Sequence, residues 1–211
     1  MSARISSASP RDRFELIFGY GVILFVLWMP EFPQRVLSPV ALLVTLGIVL
    51  VGAPSLEDLG MSRRGLAPTF WILPAALVLS IVSLLVAKKI GTLHPLYKGD
   101  FKHITGYTLW TLYQQFLIND LFMPRLTRLL ASESAAVGLA AVLFAAAHLP
   151  NLPLTAATLL WGAISCTLFR RYHNLYALGL AQGLLGLCFA VCVPDSLHHH
   201  LRVGLGYLRY H

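Results

Sequence analysis

Seven stretches of this chain are apolar and long enough to cross, or nearly cross, a lipid bilayer, and nothing else in the sequence constrains the fold as strongly. They cover roughly residues 16–30, 36–53, 69–87, 104–123, 135–149, 154–169 and 175–193. About 20 helical residues span the hydrocarbon core, and a helix satisfies its own backbone polar groups where no water can. The first and fifth stretches are short, and an eighth, weakly apolar one lies around 197–208. Only 12% of residues are charged, about half the share of a soluble domain, while 57% are hydrophobic. The chain therefore reads as all-α, a polytopic membrane helical bundle of about seven transmembrane helices, with 1–211 forming one integral membrane domain.

The net charge of +7 does not point to nucleic acid. Lys and Arg are scattered over nearly every loop, as suits loops beside anionic headgroups, and they form no single basic patch. With the N-terminus in the cytoplasm, nine of them fall inside and seven outside, which points to that orientation. Arg4, Arg11 and Arg13 lead into the first apolar stretch. The exit, Pro30-Glu31-Phe32-Pro33, lacks a small-residue cleavage site, so the stretch reads as a retained helix. In the loop at 54–68, Ser55 reads as the cap of a turn with Glu57 and Asp58 behind it, before Arg63 and Arg64. The loop at 88–103 is basic and aromatic, a composition for the headgroup level.

Cys166, Cys188 and Cys192 sit inside apolar stretches, with no disulfide framework and no metal-binding spacing. Cys188 and Cys192, four apart, read as small packing residues. His198, His199 and His200 are consecutive, so on a helix they would point about 100° apart and could not all hold one metal. They read as part of an interfacial polar tail with Arg202 and Tyr207, and no metal or cofactor is expected. Trp110 and Trp161 read as packing or belt aromatics.

Polar side chains interrupt the fourth stretch. Gln114 and Gln115 fall near its middle, and Asn119 and Asp120 follow one turn later. Thr108, Thr111, Gln115 and Asn119 recur three and four apart, which places them in one stripe on a helix. Such groups are costly in a membrane and usually face a bundle interior or a water-filled site. The fifth stretch sets Ala141, Ala145 and His148 on one small-residue face, and Asn151 follows between Pro150 and Pro153. The seventh places Gln182 between Gly179 and Gly183, a GxxxG pair, with Gly186 next. Small residues let helix backbones approach closely. One such polar residue would be a cross-helix bond worth about 0.6 kcal/mol. Three on three close-packing faces point to a shared polar pocket.

These residues resemble the CPBP family of intramembrane proteases, which includes the CAAX prenyl endopeptidases and bacteriocin-processing or self-immunity proteins. That family carries Glu-Glu-x-x-x-Arg on one membrane helix, Phe-x-x-x-His on a later one, and His-x-x-x-Asn on a last one. Here Gln114-Gln115-Phe116-Leu117-Ile118-Asn119 stands at the first motif, Phe144-Ala145-Ala146-Ala147-His148 matches the second, and Gln182 to Gly186 stands at the third. The resemblance covers about 106–193 and implies a CPBP-type core in the last four helices. It also implies catalytic positions at Gln114, Gln115, Asn119, Phe144, His148 and Gln182, with Thr111, Asn151 and Gly186 beside the bound group.

In the family, the resemblance implies, a glutamate activates the water that attacks an amide. Both glutamates are Gln here, the arginine is Asn119, the last histidine is Gln182 and its asparagine is Gly186. An amide can orient water but cannot take its proton at neutral pH. Asp120, the acid of this segment, lies about 100° from Asn119 and reads as a helix-end acid near Arg125 or the headgroups. Three readings stay open: an intramembrane peptidase with His148 as base through a Gln-held water; a non-catalytic scaffold or immunity factor that binds a membrane-anchored peptide or lipidated tail; and a small transporter or lipid-handling protein. Loss of the titrating groups favours the second. The expected location is a bacterial inner membrane, with the bilayer and a membrane-anchored peptide or protein as partners.

Overall fold

Local capping chemistry sets where most helices begin. The computed structural model describes residues 9–97 and 99–210, with Arg64 described by its backbone alone; Arg4 of the basic start lies outside the described residues. Helix α1 (Pro10–Leu27) opens with a reciprocal box, in which the Ser9 hydroxyl accepts from the Asp12 amide and Asp12 accepts from the Ser9 amide. The order continues with α2 (Glu31–Leu50), the short α3 (Leu66–Thr69) and α4 (Ile72–Ile90). Next, α5 (Phe101–Phe116) runs into a π-helical turn (Leu117–Phe122) and α6 (Met123–Leu129). Then come α7 (Glu133–Ala146), α8 (Leu152–Tyr172), α9 (Leu175–Cys192), α10 (Asp195–His198) and α11 (Gly204–Leu208). Asp100, Ser132, Asn151 and Asn174 each cap a helix by accepting the amide three residues on. Ser55 and Asp58 make the same reciprocal bonds, but around a turn and not a helix.

Every one of the seven apolar stretches is helical, so the all-helical membrane architecture stands. Among the described residues, four helices are long and apolar enough to cross a bilayer: Glu31–Leu50, Leu66–Ile90, Leu152–Tyr172 and Leu175–Cys192. The expected count of about seven crossings is therefore not confirmed. Helix α7 has 14 residues, about 21 Å of rise against a core of about 30 Å. Helix α1 starts in Arg11, Asp12, Arg13 and Glu15, and the rod from α5 to α6 is diluted by its amides and Arg125. The eighth stretch is no span. It folds back as α10 and α11, joined through His199, His200 and Leu201 at φ 46°, 55° and 60°. His198, His199 and His200 thus do not continue along one helix.

Three packed pairs shape the interior: α7 against α8, α5 against α9, and α4 against α9. Small residues permit these approaches. A methyl at Gly179 would sit 2.9 Å from the Cα of Leu112, and one at Gly162 would sit 3.1 Å from the Cα of Ala141. At the start of α1, the Arg125 guanidinium holds Glu15 at 2.6 Å and Arg128 holds Asp12 at 2.5 Å, tying α1 to α6.

The C-terminal cap hangs on His198, which is 1% exposed. Its Nε2 donates to the Val193 carbonyl at 2.9 Å, so its Nδ1 is left to accept from the Leu201 amide at 3.1 Å. A proton on Nδ1 would face that amide N–H. Burial lowers the His198 pKa; the Val193 carbonyl and Asp195 oppose the shift, while His94 and His200 add to it.

Gly179→Ala should lower the thermal midpoint in detergent, at a cost of about 1–3 kcal/mol, because backbone must move. Gly138→Ala, where nothing lies within 4 Å, should hold or raise it. For the cap, a depressed folded pKa means that neutral His198 stabilises above its unfolded value near 6.5 and loses that contribution as pH falls through it. The protection factor of the Leu201 amide, its exchange rate taken relative to the intrinsic rate at each pH, should fall from pH 7 to pH 5 in the wild type and show no such step in His198→Gln.

Candidate functional site

The polar stripe of α5 faces α9, and its side chains bond across that seam. The Thr111 hydroxyl donates to the Thr108 carbonyl at 2.8 Å and reaches the Gly179 carbonyl at 2.9 Å. Gln115 Nε2 donates to Gln182 Oε1 at 2.5 Å. Asn119 Nδ2 donates to Gln115 Oε1 at 2.9 Å and to the Gln115 carbonyl at 3.1 Å. Gln182 Nε2 donates to Gln114 Oε1, and the indole of Trp161 on α8 donates to Gln182 Oε1 at 3.1 Å. Thr111 and Gln115 are fully buried, and Asn119 and Gln182 nearly so. Four neutral amides, two on α5, one on the π-helical turn and one on α9, thus form one connected network.

A cavity of about 480 Å³ opens beside this network. Gln114, Trp161, His148, Gln182, Tyr107 and Gly186 line it within an otherwise mainly apolar wall. No Asp, Glu, Lys or Arg lines it among the described residues. His148 lies just past α7, with its ring edge-on to Phe144 at 5.0 Å between centroids. Its Nδ1 meets the Phe144 carbonyl at 2.7 Å. A carbonyl only accepts, so Nδ1 carries the proton and the neutral ring keeps its lone pair on Nε2. This arrangement can bind and orient a polar group, but it holds no carboxylate to take a proton from water.

The structure gathers Gln114, Gln115, Asn119, Phe144, His148, Gln182 and Gly186 around this cavity or directly behind it. Thr111 sits behind the lining, pinning α5 to α9. Asn151 also stands outside the lining. Its side chain caps α8 and donates to the His198 and Arg202 carbonyls, which ties the C-terminal cap down. At Gly186 an added methyl would overlap the Tyr107 hydroxyl, so the glycine makes room for that phenol.

Asp120 departs from the helix-end reading. It lies on the π-helical turn, 6% exposed, and faces a second cavity of about 390 Å³ that Asp12, Glu15, Arg125 and Arg128 also line. Arg125 does come near, but it bonds the Asp120 and Leu121 carbonyls while its charge goes to Glu15. The Asp120 Oδ2 has no partner among the described residues. The wider π turn lets Leu117 and Phe122 line the first cavity while Asp120 lines the second.

Trp161 and Tyr107 are the site residues that sequence reasoning missed. Trp161 carries an N–H that needs an acceptor when buried in a bundle, and that need was the available signal. Its partner, Gln182, lies on the next helix.

Comparison with curated proteins and with solved structures found no match. The sequence model of one protein family, type II CAAX prenyl endopeptidase Rce1-like, does match, over residues 17–188. The matched region contains all three motif positions, at Gln114–Asn119, Phe144–His148 and Gln182–Gly186. The chain is therefore a homologue of intramembrane endopeptidases: it belongs to the type II CAAX prenyl endopeptidase Rce1-like family.

Proposed function

We propose that this chain uses the family's pocket to bind a membrane-anchored peptide without hydrolysing it, as a scaffold or immunity factor in a bacterial inner membrane with its N-terminus in the cytoplasm. One observation carries the reading. The residues at the motif positions are bonded to one another as neutral amides, and no carboxylate lines the cavity among the described residues. Loss of a general base removes about 10²–10⁴-fold of rate. Binding asks only for shape, apolar surface and a few placed polar groups, and the cavity offers these.

A second reading, hydrolysis with His148 as base through a water on Gln114, draws on the lone pair of His148 Nε2, which has no partner among the described residues. It ranks below the first because His148 has a carbonyl, and no carboxylate, on its other nitrogen. An imidazolium formed by proton abstraction would gain no countercharge there.

The deciding experiment uses the full chain in proteoliposomes with fatty-acylated and prenylated peptides. Wild type should retain peptide and release no cleavage product, and His148→Ala should weaken retention about tenfold. The double variant Gln114→Glu with Gln115→Glu should not bind more tightly; product formed by that variant alone would show that only the base had been lost. Product from the wild type that disappears in His148→Ala would overturn the binding reading in favour of hydrolysis.

A further inference from the structure

Each hydrogen bond in the amide network has a direction, and both ends of the network fix it. The Gln115 carbonyl can only accept, so Asn119 must turn Nδ2 toward it. The same Nδ2 donates to Gln115 Oε1, which leaves Gln115 Nε2 to donate to Gln182 Oε1. From the other side the Trp161 indole can only donate, and it aims at that same Gln182 oxygen. Two donors on one oxygen oblige Gln182 to present Nε2 to Gln114 Oε1. Gln114, which lines the cavity, is left with an Nε2 that has no acceptor among the described residues. His148 has the opposite polarity, because the Phe144 carbonyl keeps the proton on Nδ1 and leaves Nε2 as an acceptor on the same wall.

We infer that Trp161 and Asn119 are positioning residues that lock the polarity of this network, so that the cavity offers a donor at Gln114 and an acceptor at His148 and selects a neutral backbone amide over an ester or a carboxylate. The inference rests on the peptide-binding reading and adds to it the chemical class that the site accepts. A backbone amide supplies a carbonyl for Gln114 and an N–H for His148. An ester supplies only the carbonyl and leaves His148 Nε2 unpaired in an apolar cavity. A carboxylate would bring a charge to a wall that carries no cationic side chain among the described residues. Leaving one buried acceptor unpaired costs roughly ten- to hundredfold in affinity.

Trp161 is half-buried, and its indole N–H bonds the network at Gln182. Its part is to keep that amide from turning over. With Trp161 gone, the Asn119 end still biases the network, so the selectivity should weaken and not vanish. With both ends gone, Gln114 can present either its nitrogen or its oxygen to the cavity.

The test measures binding of a fatty-acylated tripeptide amide and of its depsipeptide analogues, each with one backbone N–H replaced by oxygen, to the full chain in vesicles. Wild type should bind the amide at least about tenfold more tightly than one of the analogues. Trp161→Phe should reduce that ratio several-fold, and Trp161→Phe with Asn119→Ala should bring it near one. A merely structural role would weaken all probes together and leave the ratio unchanged, and that result would overturn the inference. A second readout needs no ligand. In a chain with Trp28, Trp71 and Trp110 replaced by Phe, ultraviolet resonance Raman should report a hydrogen-bonded Trp161 N–H that becomes free in Gln182→Leu. A free N–H in the unreplaced network would sink the polarity lock even if every probe bound. Binding of no probe by wild type would instead sink the peptide-binding reading, and the selectivity with it.

Discussion

The hydrogen bond from Gln115 to Gln182, buried between α5 and α9, is the contact on which the rest of the site depends. In hydrocarbon an unpaired amide costs several kcal/mol, so neither residue could stand there alone. Once paired, the two amides recruit Asn119, Gln114 and Trp161, each of which satisfies a group the others leave open. The seam also needs closeness. Gly179 lets the backbone of α9 approach Leu112, and Thr111 bonds the Gly179 carbonyl across the gap. The cavity wall is what remains on the open side of this network.

Charge is kept away from that wall. The ion pairs, Glu15 with a buried Arg125 and Asp12 with a partly exposed Arg128, lie at the start of α1 and around α6. The π-helical turn separates the two environments, with Asn119 turned toward the amides and Asp120 toward the charged cavity. Paired ions of this kind contribute little net stability; here they join the start of α1 to α6. A neutral binding cavity and a charged helix junction thus share one short segment, Leu117–Phe122.

Much of this was legible in the sequence. Apolar stretches marked the helices, because lipid leaves the backbone no other solution. The spacing of Thr111, Gln115 and Asn119 marked the buried face of α5, and the glycines around Gln182 marked the helix it meets. Other features were out of reach. The number of crossings depends on helix lengths and charges at the ends, and apolar runs show these poorly at α1 and α7. Asn151 reads like a pocket residue because it follows His148 closely, yet long-range backbone carbonyls at His198 and Arg202 claim its amide. Trp161 reads as packing because an indole in a membrane helix usually is, and only the position of Gln182 Oε1 reveals otherwise. The turn at His199 to Leu201 is closed by the Leu201 amide on His198 Nδ1, and His198 is itself held by the Val193 carbonyl, an arrangement that no sequence pattern announces.

A double-mutant cycle on Gln115→Met and Gln182→Met, read as reversible unfolding in mixed micelles, tests the central claim most directly. If the amide seam joins α5 to α9, the two changes should couple by about 1 kcal/mol, within the range found for hydrogen bonds between membrane helices. Each single change should cost more than the second change does once the first is made. Additive effects, with coupling below about 0.3 kcal/mol, would mean that the two amides do not depend on each other, and the site would have to be rebuilt on a different contact.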